Sequence, residues 1–121
     1  MTAFLKGENM AKYEAELKGN FSEILSDIDD AVIRQSATAS LEDSSDFTIG
    51  GTRCAVRVYE RYSYTGGNRV SMNITLIEAD GRVFLSAITS GGSQAMLFKI
   101  NTLGEESFLE LISEAINRYR A

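Results

Sequence analysis

The chain contains no histidine, no tryptophan, no proline and a single cysteine, Cys54. Without histidine, Ser-His and Cys-His dyads are excluded, and so are most zinc and iron sites. One thiol excludes an internal disulfide and any thiolate metal cluster, and it agrees with a reducing compartment. A buried, inert thiol is the reading of Cys54, which lies among apolar strand positions. No apolar run approaches the length of a membrane-spanning helix. The opening segment MTAFLKGENMAKYEAEL has no apolar stretch long enough for a secretory signal. A cytoplasmic protein with no membrane partner and no cofactor is expected. Any acid–base chemistry would rest on carboxylates, Lys, Tyr or backbone donors, and no such pair emerges from the spacing, so no enzyme is expected.

What is present suits one soluble domain. The 121 residues are 44% hydrophobic and 24% charged, enough for a real core. The formal net charge of −5 speaks against nucleic acid as a partner, because that affinity comes mainly from neutralised phosphates. Residues 1–9 are expected to be a disordered lead-in, with residues 10–121 forming a single α+β domain.

The apolar pattern alternates between strand and helix periods. Tyr13, Ala15 and Leu17 alternate with charges over Lys12–Lys18, a half-buried strand. Asn20 then caps a helix, with Glu23 three residues on. Phe21, Ile24, Leu25, Ile28 and Val32 form its apolar stripe over Asn20–Arg34, and Glu23, Asp27, Asp29 and Asp30 form a solvated acidic face. Ala37, Ala39 and Leu41 read as a second strand, and EDSSDFTIGG as a loop without EF-hand spacing. RCAVRVYERYSY and RVSMNITLIE flank TGGN. Matching apolar faces pairs Val58 with Ile74 through a three- or five-residue turn, and so sends Cys54, Val56 and Val58 to the core and Arg57, Tyr59 and Arg61 outward. Ala79-Asp80-Gly81-Arg82 reads as a two-residue hairpin pairing Leu76 with Leu85 and Ile74 with Ala87.

The stretch TSGGSQA offers two readings. A phosphate cradle needs a strand, a Gly-rich loop and then a helix whose amides face the anion. Here Met96, Phe98 and Ile100 continue with strand alternation, so the stretch reads as a Gly91–Gly92 turn pairing Ala87 with Met96, Leu85 with Phe98 and Val83 with Ile100. Its polar groups, Ser90, Gly91, Gly92, Ser93 and Gln94, form a candidate loop at one end of the sheet. The last segment reads as a helix with Thr102 as cap, Glu105 as its partner, and Phe108, Ile112, Ala115, Ile116 and Tyr119 as buried stripe. Arg118 and Arg120 suit its dipole. The order β-α-β-β-β-β-β-α gives an antiparallel sheet with two helices on one face, similar in element order to TATA-binding-protein-like and helix-grip topologies.

The segments LEDSSDFT, ERYSYTGGNRVS, SAITSGGSQA and FKINTLGEESFL resemble an uncharacterised family of short bacterial proteins known only as a domain of unknown function. The resemblance spans the chain from about Met10 onward. It implies a bacterial cytoplasmic origin and supplies no activity and no catalytic residues.

Two candidate sites remain. The expected outer sheet face carries Arg57, Tyr59, Arg61, Asn73, Ile77, Phe84, Ile88 and Leu97, an apolar patch with a basic and aromatic margin. A solvated face should be mostly polar, so this one points to homodimerisation through the sheet. Stacking of single-stranded nucleic acid on Tyr59 and Phe84, flanked by Arg57, Arg61 and Lys99, competes with it, as does cover by Phe4 and Leu5. Residues 47–76 hold four Arg against one Glu, which favours an anion locally although the whole chain is acidic. Glu60 is expected on the core side beside Tyr62 and Met72, half exposed near the sheet end and bonded to Tyr62 or Tyr64. An apolar small molecule held between helices and sheet is the alternative function, although the expected core has few polar groups to orient a ligand.

Overall fold

The computed structural model describes residues 5–6, 10–36, 38–62, 69–91 and 109–121. They form a two-layer α+β structure. Strands β1 (Leu5–Lys6) and β2 (Met10–Leu17) precede helix α1 (Phe21–Gln35). Strands β3 (Ser40–Ile49), β4 (Thr52–Tyr62), β5 (Arg69–Ala79) and β6 (Arg82–Gly91) follow. Helix α2 occupies residues 109–115 and leads into a short 3-10 turn, Asn117–Tyr119. All strand pairs are antiparallel, in the order β1-β2-β6-β5-β4-β3.

Local chemistry explains α1. The Asn20 side chain accepts the Glu23 amide at 2.9 Å, meeting one of the donors that a helix start leaves over. Phe21, Ile24, Ile28, Ala31 and Val32 are buried at helical spacing. Phe21, Ile24, Ile28 and Val32 join Leu109, Ile112, Ile116 and Tyr119 and one face of the sheet in a single core. The sheet's share is Tyr13, Ala15 and Leu17 of β2, Val83, Leu85 and Ala87 of β6, Val70, Met72, Ile74 and Leu76 of β5, and Ala55 and Tyr59 of β4. The expected strand at Lys12–Lys18 and the expected α1 stripe are both present.

The β5–β6 hairpin matches its sequence reading. Leu76 pairs with Leu85 and Ile74 with Ala87. Asp80 and Gly81 take φ values of 54° and 75°, the paired positive angles that fit a hairpin to twisted strands.

Four expectations need correction. First, β6 runs as strand through Gly91 and has no side open for the expected pairing with Met96, Phe98 and Ile100, which lie outside the described residues. Its free side is taken by β2, with Ala87 opposite Tyr13, Leu85 opposite Ala15 and Val83 opposite Leu17. Thr89, Ser90 and Gly91 are strand, paired to Met72, Ser71 and Val70. Gly91 lies so close to β5 that a Cβ there would meet the Arg69 carbonyl oxygen at 2.5 Å. Second, β4 and β5 pair Tyr59 with Met72 and Tyr62 with Arg69, leaving a six-residue connection, 63–68, rather than three or five. The faces of β4 are therefore inverted. Third, EDSSDFTI belongs to β3 and forms no loop; Ser36 ends α1 and strand begins at Ser40. Gly50 and Gly51, with φ of 55° and 94°, make the turn that pairs Ile49 with Thr52. Fourth, Leu5 and Lys6 of the expected lead-in pair with Lys12 and Ala11.

Candidate functional site

Even-numbered residues of β4 point away from the helices and odd-numbered ones toward them. Antiparallel partners share a face, so the register gives the outer face directly. One row crosses four strands: Phe84 on β6, Ile77 on β5, Cys54 on β4 and Phe47 on β3. The next rows hold Ser86, Thr75, Val56 and Ser45, then Ile88, Asn73, Val58 and Asp43. Phe84 is 44%, Ile88 40% and Phe47 47% exposed, so the helices leave this row to solvent. Cys54 is buried beneath it.

Ion pairs bound the patch at both ends. At one end Arg82 donates to both Glu16 carboxylate oxygens, at 2.9 and 2.8 Å. That guanidinium holds the Glu16 carboxyl below its usual range. At the other end Arg69 is bonded to Glu60 and lies 5.4 Å over the Tyr62 ring. Glu60 therefore lies on the outer face opposite Ser71 and Ser40, not on the core side. Its partner is Arg69 rather than Tyr62.

Asn73, Ile77, Phe84 and Ile88 lie on the outer face as expected. Arg57, Tyr59 and Arg61 do not. By register they share the helix-covered face with Ile74, Met72 and Val70. Tyr59 is fully buried and donates its hydroxyl to Asp29 at 2.8 Å. Burial first, and this bond second, push its phenol well above the usual tyrosine range. Arg57 lies 3.1 Å from Asp46 of β3 and donates to the Val56 carbonyl. Arg53 bonds Ser22 at 3.1 Å and sits 4.3 Å over the Phe21 ring. The expectation failed because it reserved the covered face for apolar residues. Over β4 the cover is the polar flank of α1, whose Ser22 and Asp29 accept the donors. Single-stranded nucleic acid thus cannot stack on Tyr59. Ser90 and Gly91 are strand residues; Gly92, Ser93, Gln94, Leu97 and Lys99 lie outside the described residues, as do Phe4, Thr102, Glu105 and Phe108.

The acidic face of α1 is only partly solvated. Tyr119 donates its hydroxyl to Asp27, and Arg118 donates to both, at 2.7 Å to Asp27. These bonds, the tyrosine's first, hold the Asp27 carboxyl below its usual range, while burial raises the Tyr119 phenol. Arg118 therefore acts as a tether to α1 more than as a complement to its own helix end. Asp27, Asp30, Ala31, Arg34, Gln35 and Ala115 line an open groove of about 310 Å³ beside this tether. Its charges of both signs, Asp27 and Asp30 beside Arg34, do not suit an apolar ligand. Among the described residues no cluster of three potential metal ligands occurs, and no helix is long and apolar enough to cross a membrane.

Comparison with known families adds one decisive result. A family model, DUF6054, a family of unknown function, matches residues 10–120. The chain belongs to that family. No curated protein sequence matches it. Among solved structures it is similar to PA94 of Pseudomonas aeruginosa, a protein of unknown function, at 13% identity and a TM-score of 0.54, covering 88% of this chain and 76% of that one. It is also similar to the hypothetical protein jhp0584 of Helicobacter pylori, at 13% identity and a TM-score of 0.50, covering 99% and 98%. At such identities the likeness concerns the fold alone.

Proposed function

We propose that this member of the family is a non-enzymatic interaction domain of the bacterial cytoplasm that associates with a second copy of itself through the outer face of its sheet. The observation that supports this is the Phe84–Ile77–Cys54–Phe47 row, apolar across four strands and, among the described residues, without a helix over it. Packing two such faces removes the exposed rings from water, and a two-fold axis lets one patch serve both copies. The Glu16–Arg82 and Glu60–Arg69 pairs supply the polar rim such a contact needs. The single unpaired cysteine fits the compartment.

The alternative, an apolar ligand between helices and sheet, has no comparable support. Tyr13, Ile28, Met72, Ile74, Leu85 and Ile112 are fully buried in that space, as in a filled core. Sedimentation of the wild-type chain and of Phe84→Glu tests the proposal. A wild-type dimer and a folded, monomeric variant are expected. A wild-type monomer at high concentration ends the reading.

A further inference from the structure

The free edge of β3 differs in kind from the outer face and carries a separate argument. β3 is ten residues long and exposed at every position. Ordering a backbone costs about 1–2 kcal/mol per residue, and this strand returns little of that through burial, since even Leu41 and Phe47 stay 43% and 47% exposed. Among the described residues nothing lies along its outer edge, because the strand order ends there. A long exposed edge is a template for another strand, which proteins normally blunt or use.

Charge selects the occupant. β3 carries Glu42, Asp43 and Asp46 and no basic residue. Arg57 from β4 reaches only Asp46. A second copy of β3 is a poor fit. Antiparallel pairing about Ser44 sets Glu42 against Asp46. Pairing about Ser45 leaves Asp46 diagonal to its own copy and to Glu42. Parallel pairing in register stacks each acid on itself. Like charges at such positions destabilise a ladder. We propose that β3 takes up an extended Lys- or Arg-bearing segment of a partner protein as an added strand. Its cations lie against Glu42 and Asp43, and its apolar residues extend the outer-face row past Phe47 and Ile49, which are 47% and 72% exposed.

The test uses three labelled ten-residue peptides. One carries Lys in the half set against Glu42 and Asp43 and Val in the half set against Phe47 and Ile49, the second has Glu for each Lys, and the third keeps the Lys but has Pro for each Val. Fluorescence anisotropy measures affinity, and amide shifts locate the site. The Lys-Val peptide is expected to perturb Ser40–Ile49 and to bind at least about tenfold more tightly than either comparator. The proline peptide separates ladder pairing from plain charge attraction, since proline has no amide to donate. An E42K/D43K variant, changed only at exposed positions, should reverse the preference between Lys and Glu peptides. Phe84→Glu should bind the Lys-Val peptide like wild type, so failure of the outer-face reading leaves this one standing. Equal binding of the proline peptide, shifts confined to other strands, or a homodimer already protecting the β3 amides overturns the proposal.

Discussion

At one edge of the sheet, β2 buries Tyr13, Ala15 and Leu17, and its own free side is covered at both ends. β1 pairs with Ala11 and Lys12. The C-terminal residues take the other end, where Lys18 donates to the Tyr119 carbonyl at 2.6 Å and Ala121 to the Glu16 carbonyl at 3.1 Å. At the opposite edge β3 is exposed at every position and, among the described residues, pairs only with β4. Both strands have the same backbone hydrogen-bonding needs. The difference lies in where the two helices put their apolar stripes. The C-terminal residues close the edge of β2, while the polar flank of α1 lies over β4 and leaves β3 beyond the core. Stability therefore concentrates at the β2 side, and open pairing capacity at the β3 side.

The largest effect should come from the closed edge. Leu17→Ala removes a fully packed side chain and is expected to cost about 2–5 kcal/mol by chemical denaturation; a loss below about 1 kcal/mol would mean that β2 is not a core strand. Next is Gly19→Ala. Gly19 has φ of 146°, and a Cβ there would lie 2.8 Å from the Tyr119 ring. A loss of about 1–3 kcal/mol is expected, measured in the same way.

Tyr119→Phe should cost about 0.5–1.5 kcal/mol and should also change the acid limb. The folded-state pKa of Asp27 is depressed. Its contribution is thus present above the unfolded carboxylate range, near pH 4, and is lost as pH falls through the lower folded value. Removing the tyrosine hydroxyl brings the folded value back toward the unfolded one. The variant should therefore lose less additional stability between about pH 4 and pH 2 than wild type. Parallel acid slopes for the two proteins would show that the Tyr119–Asp27 bond does not form in solution. The smallest effect belongs to the open edge. Ile49→Ser, at a position 72% exposed at the end of the strand, is expected to change stability by no more than about 0.5 kcal/mol. A larger loss would mean that β3 is covered in solution.

Features set by neighbouring residues were legible in the chain. Asn20 and Glu23 mark the start of α1, and Asp80-Gly81 sets a hairpin whose register follows at once. β3 was not legible as a strand because sequence reading detects strands through one buried face, and neither face of β3 is buried. The Gly50-Gly51 turn between Ile49 and Thr52 was its available signal. The β4 register differs from the expected one because Cys54, Val56 and Val58 form the more apolar set, whereas Ala55 and Tyr59 are the ones that join the helix-covered core. Ile77, Phe84, Ile88 and Asn73 were placed on the outer face because that follows from the β5–β6 hairpin alone. Arg57, Tyr59 and Arg61 depended on a register across a longer connection and went to the wrong side.

The partner of β6 shows the boundary most clearly. In sequence, Tyr13, Ala15 and Leu17 show the same alternation as Met96, Phe98 and Ile100, and either set would match Val83, Leu85 and Ala87. Hydrophobic pattern reports which side of a strand is buried, and it is indifferent to which of two segments with equal alternation lies alongside. The alternation, the helix cap and the hairpin turn are local properties of the chain, settled by side-chain sterics and hydrogen bonding within a few residues. The choice of β2 beside β6, the face of Tyr59 and the open edge at β3 depend on how two helices and six strands share one core, which no local pattern encodes.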